Sequence, residues 1–198
     1  MKKIPVKIIM VTSPSGDTKK GVMLDSTYYF PMKKNYREKI KKFEQDYFNL
    51  IDDATKLFYS NGITKRSNLP STTFWELGKI FRKFNDKTST KFYITNYANS
   101  LQRDFGLTEP YIRELIIFSR EFKKKEISNN VPMAIYRALI WKRNILNNLE
   151  LFEHEKQKLI QRGKVKQFIG RENYKNELKT LINNYLKNNN KNITTRFE

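Results

Sequence analysis

The chain has 198 residues, of which 39 are Lys or Arg and 20 are Asp or Glu, so its formal net charge at pH 7 is +19. Apolar residues make up 38% and aromatic residues 14% of the sequence, enough for a folded core, which excludes a disordered chain. The absence of cysteine excludes a disulfide framework and a thiolate metal site.

Nucleic acid is the partner that this charge favours. An AT-rich coding sequence explains the preference for Lys over Arg but not the net charge, because the codons of Asp and Glu tolerate the same bias. An anionic membrane surface, another acidic partner, or no polyanion at all are the alternatives. The apolar start is interrupted by Pro5 and Lys7, and no segment approaches the ~18 apolar residues of a membrane span. We therefore expect a soluble cytoplasmic protein without a membrane partner, with association with the nucleoid as one setting.

The first predicted elements are two β-strands. Residues 4–12 are rich in β-branched side chains, residues 13–21 contain turn-forming Ser, Pro and Gly, and residues 22–30 read as a second strand. We predict an N-terminal β-hairpin with a long loop. Because an isolated hairpin is only marginally stable, it must pack against the rest of the chain.

A long helix is predicted from residue 33 to about residue 60. Its apolar residues recur at alternating spacings of four and three, and others widen the stripe to a broad face. A broad face favours packing in a core, and the alternative is a homodimer through the helix at residues 35–60. The stripe comprises Tyr36, Ile40, Phe43, Tyr47, Leu50, Ala54 and Leu57, widened by Phe48, Ile51 and Phe58.

The next predicted helix begins with a capping box of Thr73 and Glu76 and continues to residue 86. Gly78 lies within its apolar face, where we expect another helix to approach closely. The inward positions are Phe74, Leu77, Phe81 and Phe84.

Two consecutive helices are predicted over residues 91–105 and 109–125, and their junction has the spacing of a helix-turn-helix. Gly106 can take the left-handed conformation that the turn requires, and Thr108 is a suitable N-cap. Gln102 departs from the small residue usual in the first helix. The alternative is two core helices without DNA contact. The residues at the positions of the motif are Phe105, Gly106, Leu107, Ile112 and Leu115.

The second helix of this motif would be the recognition helix, whose first residues meet base edges in the major groove. Two acids on this face would repel phosphates, so the helix can instead serve the fold while another surface carries the binding charge. The predicted DNA-facing residues are Glu109, Tyr111, Arg113 and Glu114.

A second DNA surface is predicted over residues 156–171, which contain six basic residues and no acid. Gly163 and Gly170 interrupt the run, which suits phosphate contact through side chains and backbone amides. A solvated outer face is the alternative, as it is for the basic cluster at residues 33–42. The predicted phosphate contacts are Lys156, Lys158, Arg162, Lys164, Lys166 and Arg171.

Further helices over residues 132–148, about 152–162 and 172–187 complete a fold that is mainly α. The predicted segments are an N-terminal β-hairpin (1–30), a helical domain containing the helix-turn-helix (31–150) and a basic C-terminal helical extension with a frayed tail (151–198).

The motifs FWELGKIF and YANSLQRDFGLTEPYIRELIIFSREF, within residues 74–122, and the later YRALIWKRN and FEHEKQKLIQRGKVKQFIGRE resemble a known bacterial module. It is the helical, winged-helix-like DNA-binding domain that often precedes a PD-(D/E)XK nuclease of unknown role; ParB-type helix-turn-helix domains are similar more loosely. The resemblance implies DNA binding in a defence or mobile-element setting. The chain departs from it in its N-terminal hairpin and in lacking a nuclease motif after residue 172. The matching positions are Trp75, Glu76, Gly78, Phe105, Gly106, Leu115 and Phe122.

No catalytic residue, metal site or cofactor is predicted. A nuclease of that kind needs an Asp and a (D/E)xK on neighbouring strands to hold Mg²⁺, and Asp17 and Asp25 lack that partner motif. His154 is the only histidine, and no phosphate-binding loop or nucleophile motif occurs. We expect a DNA-binding protein that is not an enzyme. The alternative is a helical interaction protein that binds RNA or a ribonucleoprotein, which the core-like spacing of the aromatic residues disfavours.

Overall fold

The structure is a computed structural model, and it describes residues 4–12, 18–24, 34–60, 69–89, 92–95, 100–102, 106–167 and 169–188. This part of the chain is mainly helical, as the sequence predicts. Its elements are β1 (Ile4–Thr12), β2 (Thr18–Leu24), α1 (Lys34–Ser60), α2 (Ser71–Ser89), β3 (Phe92–Thr95), α3 (Glu109–Glu121), a 3-10 turn (Lys124–Glu126), α4 (Met133–Trp141), α5 (Arg143–Asn148), α6 (Phe152–Lys164) and α7 (Arg171–Asn188).

A three-stranded sheet with the order β2-β1-β3 is formed near the N-terminus. β1 and β2 are antiparallel, with Val6 opposite Leu24 and Thr12 opposite Thr18. The second strand therefore begins at residue 18, earlier than predicted, and the residues that connect the two strands lie outside the described residues. β2 occupies one edge of β1 and leaves the other edge for a further strand.

That third strand corrects a prediction, because Phe92–Thr95 is β3 and not the start of a helix. β3 runs parallel to β1, with Ile4 opposite Phe92 and Lys7 opposite Thr95. Its sequence, Phe-Tyr-Ile-Thr, has aromatic and β-branched residues that suit a strand. Periodicity over so few residues does not separate strand from helix, and here the free edge of β1 decides.

The chain divides into two compact units. The first contains residues 1–69 and 76–119, and the second contains residues 70–75 and 120–198. Residues 120–150 thus group with the C-terminal segment, which differs from the predicted boundary at residue 150.

In the first unit, the central part of the heptad stripe of α1, from Phe43 to Ala54, is buried, and two of its rings pack against α2. The ring centroid of Phe84 lies 5.6 Å from that of Phe43 and 6.0 Å from that of Tyr47. Burial of each such ring contributes roughly 1.5–3 kcal/mol. Core packing thus occupies the central part of the stripe, as the broad apolar face predicts. The buried members of this core include Phe43, Tyr47, Leu50, Ala54, Leu77, Phe81, Phe84, Leu101, Leu115 and Phe118.

The second unit is built from the start of α2 and helices α4 to α7. The Ser71 hydroxyl donates to the carbonyl oxygen of Val131 at 2.6 Å, and the Trp75 indole N–H donates to that of Phe122 at 2.7 Å. The α2 helix begins at Ser71, and the Thr73 N–H bonds to the carbonyl of Pro70. Thr73 therefore lies inside the first turn of α2 and is not its N-cap. The predicted capping box is wrong, and the helix begins about three residues earlier than predicted. Buried members of this core include Phe122, Val131, Ile135, Tyr136, Leu139, Leu146, Phe152, Leu159, Tyr174, Leu178 and Ile182.

Candidate nucleic-acid interface

The turn before α3 has the backbone geometry that the predicted motif needs. Gly106 has a φ of 60°, in the left-handed region that favours glycine. Leu107 is buried, and the carbonyl oxygen of Thr108 accepts from the N–H of Ile112 at 3.0 Å, so α3 starts where predicted. Of the preceding helix, only residues 100–102 are described as helical, and Phe105 lies outside the described residues. The complete helix-turn-helix therefore stays a prediction.

The outer face of α3 carries the predicted base-contacting residues. Glu109 and Arg113 are exposed, while Tyr111 and Glu114 are half-buried. Nη2 of Arg113 lies 2.8 Å from Oε1 of Glu109, one turn earlier. Such an exposed pair stabilises the helix by only a few tenths of a kcal/mol, so a ligand can displace it at little cost. The pair nevertheless neutralises the one cation among these four residues, which makes this face a weak phosphate site.

The inner face of α3 agrees with the prediction. Ile112 and Leu115 are buried and Ile116 is half-buried. The helix therefore serves the core of the first unit, whatever its outer face contacts.

Lys156 is a correction to the predicted phosphate contacts. Its side chain is buried, with Nζ 3.7 Å from Oε2 of both Glu126 and Glu153 and 5.5 Å from the ring centroid of Phe122. Two carboxylates already balance its charge, and burial removes it from solvent. Lys156 therefore stabilises the second unit and does not contact phosphate in this conformation.

The Arg162 side chain is also engaged in contacts within the second unit. Its Nη1 lies 2.8 Å from Oε2 of Glu177, and its guanidinium carbon lies 6.0 Å from the ring centroid of Tyr174, so it joins α6 to α7. Lys158 is exposed, and its Nζ lies 3.5 Å from Oε1 of the buried Glu155. Both cations therefore have a carboxylate partner, with which a phosphate would have to compete.

Lys164, Lys166 and Arg171 are the predicted contacts that the structure leaves exposed. Lys166 has a φ of 53°, and the N–H of Gln167 bonds to the carbonyl of Arg162 at 3.0 Å. This is a Schellman-type end of α6, in which glycine usually occupies the position of Lys166. The chain thus places a lysine where its backbone is strained, at the tip of an exposed helix end.

Sequence reasoning missed a cluster around Trp141, the last residue of α4. The Trp141 side chain is 48% exposed. The guanidinium carbon of Arg137 lies 5.2 Å, and that of Arg171 5.5 Å, from the Trp141 ring centroid. Both distances are within the range of cation–π attraction. Arg137 is an isolated cation in an apolar helix and belongs to no charge run, and the one sequence signal for the cluster is its spacing of four residues from Trp141.

Two lysines extend this cluster. The pKa of Lys142 is lowered, first by partial burial and second by the charge of Lys179 on α7. Glu172 is the neighbouring acid, and its carboxylate accepts from Lys175 at 2.8 Å, which lowers the pKa of Glu172. The Trp141 cluster is defined here as Arg137, Trp141, Lys142, Arg171 and Lys179.

The arrangement of guanidinium and ammonium groups around Trp141 is suited to binding an anion. Among the described residues, no group of three or more His, Asp or Glu side chains is placed to hold a metal ion. Likewise, no helix in the described part of the chain has the length and apolar character to cross a membrane. Comparison with protein-family models, with curated proteins and with solved structures gave no match for this chain.

Proposed function

We propose that the chain binds double-stranded DNA through the basic surface of its second unit, as a regulator or accessory factor in DNA organisation, replication or defence. The Trp141 cluster is the observation that carries the proposal. Two guanidinium carbons lie 5.2 and 5.5 Å from the Trp141 ring centroid, and the pKa of Lys142 is lowered, first by burial and second by repulsion from the charge of Lys179. A polyanion relieves that repulsion, and phosphate is the anion that guanidinium and ammonium groups bind in nucleic acids.

The ion pairs of the acidic residues in this unit support the proposal. Between residues 120 and 188 the sequence has 16 Lys and Arg against seven Glu. Six of these Glu side chains lie within ion-pair distance of a basic residue or His154. Three of these pairs, Glu121–Arg143, Glu126–Lys156 and Glu177–Arg162, join different elements, and the others lie within one helix. The surplus of cations, including Lys164 and Lys166, gives the unit a positive field that attracts DNA.

The α3 helix has a secondary role in this proposal. The left-handed turn at Gly106 and the buried Ile112 and Leu115 fit the second half of a helix-turn-helix. Tyr111 and Arg113 would then contribute base contacts, after displacement of the pair with Glu109. The phosphate contacts of the second unit supply most of the affinity, because Lys164, Lys166 and Arg171 are exposed, whereas the one cation on the outer face of α3 is paired with Glu109.

Binding of RNA is the second candidate, and the exposed Trp141 ring favours it. Single-stranded RNA is recognised by stacking of unpaired bases on aromatic and guanidinium planes. The same chemistry serves single-stranded DNA, so the ring alone does not distinguish the two nucleic acids.

The test is a titration of the protein with a blunt DNA duplex over a range of salt concentrations. If the protein covers 5–8 phosphates, the log–log slope of the binding constant against salt should be roughly −4 to −7. Structured RNA and anionic vesicles serve as competitors. A slope near zero, or no binding to the duplex at low salt, contradicts the proposal. If structured RNA displaces the duplex at a lower concentration than duplex DNA does, RNA is the preferred ligand.

A further inference from the structure

We propose that the Trp141 cluster binds an unpaired nucleotide, so that the protein prefers DNA with a single-stranded end or gap over a fully paired duplex. This inference rests on the proposed DNA binding and names the part of the nucleic acid that the cluster contacts. It goes beyond the phosphate contacts, which do not distinguish paired from unpaired strands.

The argument begins with the exposure of the ring. Trp141 and Trp75 are the two tryptophans of the chain. The Trp75 side chain is 7% exposed and its indole N–H is bonded to the Phe122 carbonyl, whereas Trp141 lies nearly half in solvent at the end of α4. The fold thus buries one tryptophan and leaves the other beside two guanidinium groups.

The two arginines come from different elements. Arg137 lies one turn before Trp141 on α4, and Arg171 is the first residue of α7, thirty positions after the ring in sequence. Tertiary packing therefore assembles the cluster. A planar guanidinium beside an indole ring forms a surface on which a base can stack, and the N–H groups of Arg171 suit the phosphate of the same nucleotide.

A base within a B-form duplex is stacked between its neighbours and does not offer a free face to such a ring. An unpaired base does, and its stacking on an aromatic ring is tolerant of sequence. Lys142 and Lys179 then lie where the charge of the adjoining strand lowers their mutual repulsion. The cluster combines the two elements of a single-strand site, a stacking surface and surrounding cations.

The experiment uses the intact chain and three ligands of one sequence: a blunt duplex, the same duplex with a single-stranded DNA overhang, and the duplex with an RNA overhang. Tryptophan fluorescence is the first readout, because a base stacked on Trp141 quenches its emission while the buried Trp75 serves as an internal reference. We expect the overhang ligands to quench the wild-type protein, the blunt duplex to leave its emission largely unchanged, and Trp141→Phe to remove the quenching.

Affinity is the second readout. Trp141→Ala should weaken binding to the overhang duplexes about 5- to 100-fold, the equivalent of one stacked base, and binding to the blunt duplex by less than about twofold. The control is Phe48→Ala, which removes an aromatic ring that is also exposed, from α1 in the first unit. It should leave both affinities unchanged. Equal effects of the two overhangs extend the site to RNA, and a loss confined to the DNA overhang assigns it to DNA.

Three results overturn the inference. The first is equal binding of blunt and overhang duplexes by the wild type. The second is an equal loss for both ligands in Trp141→Ala. The third is a lowered melting temperature of Trp141→Ala with an unchanged overhang preference, which assigns the cation–π contacts to stability alone. Failure of the DNA-binding proposal looks different, because the wild type then binds none of the ligands at low salt.

Discussion

Gly78 on α2 packs directly against the backbone of Leu115 on α3. A Cβ at position 78 would overlap the carbonyl oxygen of Leu115 and lie 2.7 Å from its carbonyl carbon. One turn along, Nη1 of Arg82 donates to the carbonyl oxygen of Ser119 at 2.7 Å, which satisfies a carbonyl in the last turn of α3. The contact at Gly78 therefore sets the distance between the two helices of the first unit and holds α3 in place.

Gly78→Ala should destabilise the protein by about 1–3 kcal/mol, because a backbone carbonyl cannot move aside as a flexible side chain can. Denaturant unfolding measures this change. Gly170→Ala is the matched control, since a Cβ there would meet only the amide nitrogen of Asn173, at 4.0 Å. We expect the control to change stability by a few tenths of a kcal/mol. Equal effects of the two substitutions would mean that α2 and α3 do not approach closely at Gly78.

Replacing the strained Lys166 with glycine should raise the stability of the protein and lower its affinity for DNA. Lys166→Gly relieves the left-handed backbone and should stabilise the protein by roughly 1 kcal/mol, while it removes a cation and weakens duplex binding. Glu150, with a φ of 57°, occupies the same position at the end of α5 and provides the control. Glu150→Gly should give a similar gain in melting temperature without loss of DNA affinity. If Lys166→Gly binds DNA as tightly as the wild type, the Lys166 side chain does not contact phosphate.

The two candidate DNA surfaces should respond differently to mutation. The double variant Lys164→Ala/Lys166→Ala should weaken binding to every duplex about equally and reduce the salt slope by roughly 2. The double variant Tyr111→Ala/Arg113→Ala should instead lose preference between sequences, by roughly 1–3 kcal/mol for a bidentate contact. Titration against a selected and a scrambled duplex distinguishes the two effects.

The control for these double variants is Lys41→Ala/Lys42→Ala, which removes the same charge from an exposed part of α1. It should change affinity less than the Lys164/Lys166 variant. Full sequence discrimination by the Tyr111/Arg113 variant would show that α3 serves only the core, and an effect of the α1 control equal to that of Lys164 and Lys166 would show that net charge alone determines affinity.

Lys156→Ala should lower stability and leave DNA binding nearly unchanged. The substitution removes a buried cation from beside Glu126 and Glu153 and opens space next to Phe122, at an expected cost of about 2–4 kcal/mol. Lys156→Met retains most of the packing and should cost less. Melting temperature and duplex affinity are measured together. A variant that folds with full stability but loses affinity would restore Lys156 to the predicted phosphate contacts.

Tyr174→Phe should be neutral or stabilising by up to about 1 kcal/mol at pH 7. The Tyr174 hydroxyl is buried and finds no hydrogen-bond partner among the described residues, so its removal relieves a desolvation cost. Tyr136→Phe is the matched control. The Tyr136 hydroxyl accepts from the backbone N–H of Ser128 at 3.0 Å, and its loss should cost about 1–2 kcal/mol.

The Tyr174→Phe variant also tests how the stability of the protein depends on pH. Burial, and next the charge of Glu155, raises the pKa of Tyr174 above its ordinary value of 10.0. The folded state therefore resists loss of this proton, and the stabilising contribution is present below about pH 10 and is lost as the pH rises further. Because phenylalanine does not ionise, Tyr174→Phe should lose less stability above pH 10 than the wild type. Parallel curves for the two proteins would contradict the buried environment of Tyr174.

Local pattern was enough to predict several features of this protein. The heptad spacing placed Phe43, Tyr47 and Leu50 on the buried face of α1, because burial in a helix follows its period of 3.6 residues. The close approach at Gly78 and the left-handed turn at Gly106 were also predicted, since a Cβ at position 78 would overlap another backbone and glycine takes a positive φ without strain.

Tertiary structure decided the features that depend on residues distant in sequence. β3 became a strand because β1, more than eighty residues earlier, offers it an edge. Lys156 and Arg162 belong to a run without acids in sequence, but folding brings Glu126 and Glu177 to them from other elements and pairs both with carboxylates. The same packing brings Arg171 to the exposed Trp141 and assembles a cationic aromatic cluster that no local pattern contains. Charge and aromatic content are properties of composition, whereas which cations remain in solvent depends on the pairs that only the folded chain can form.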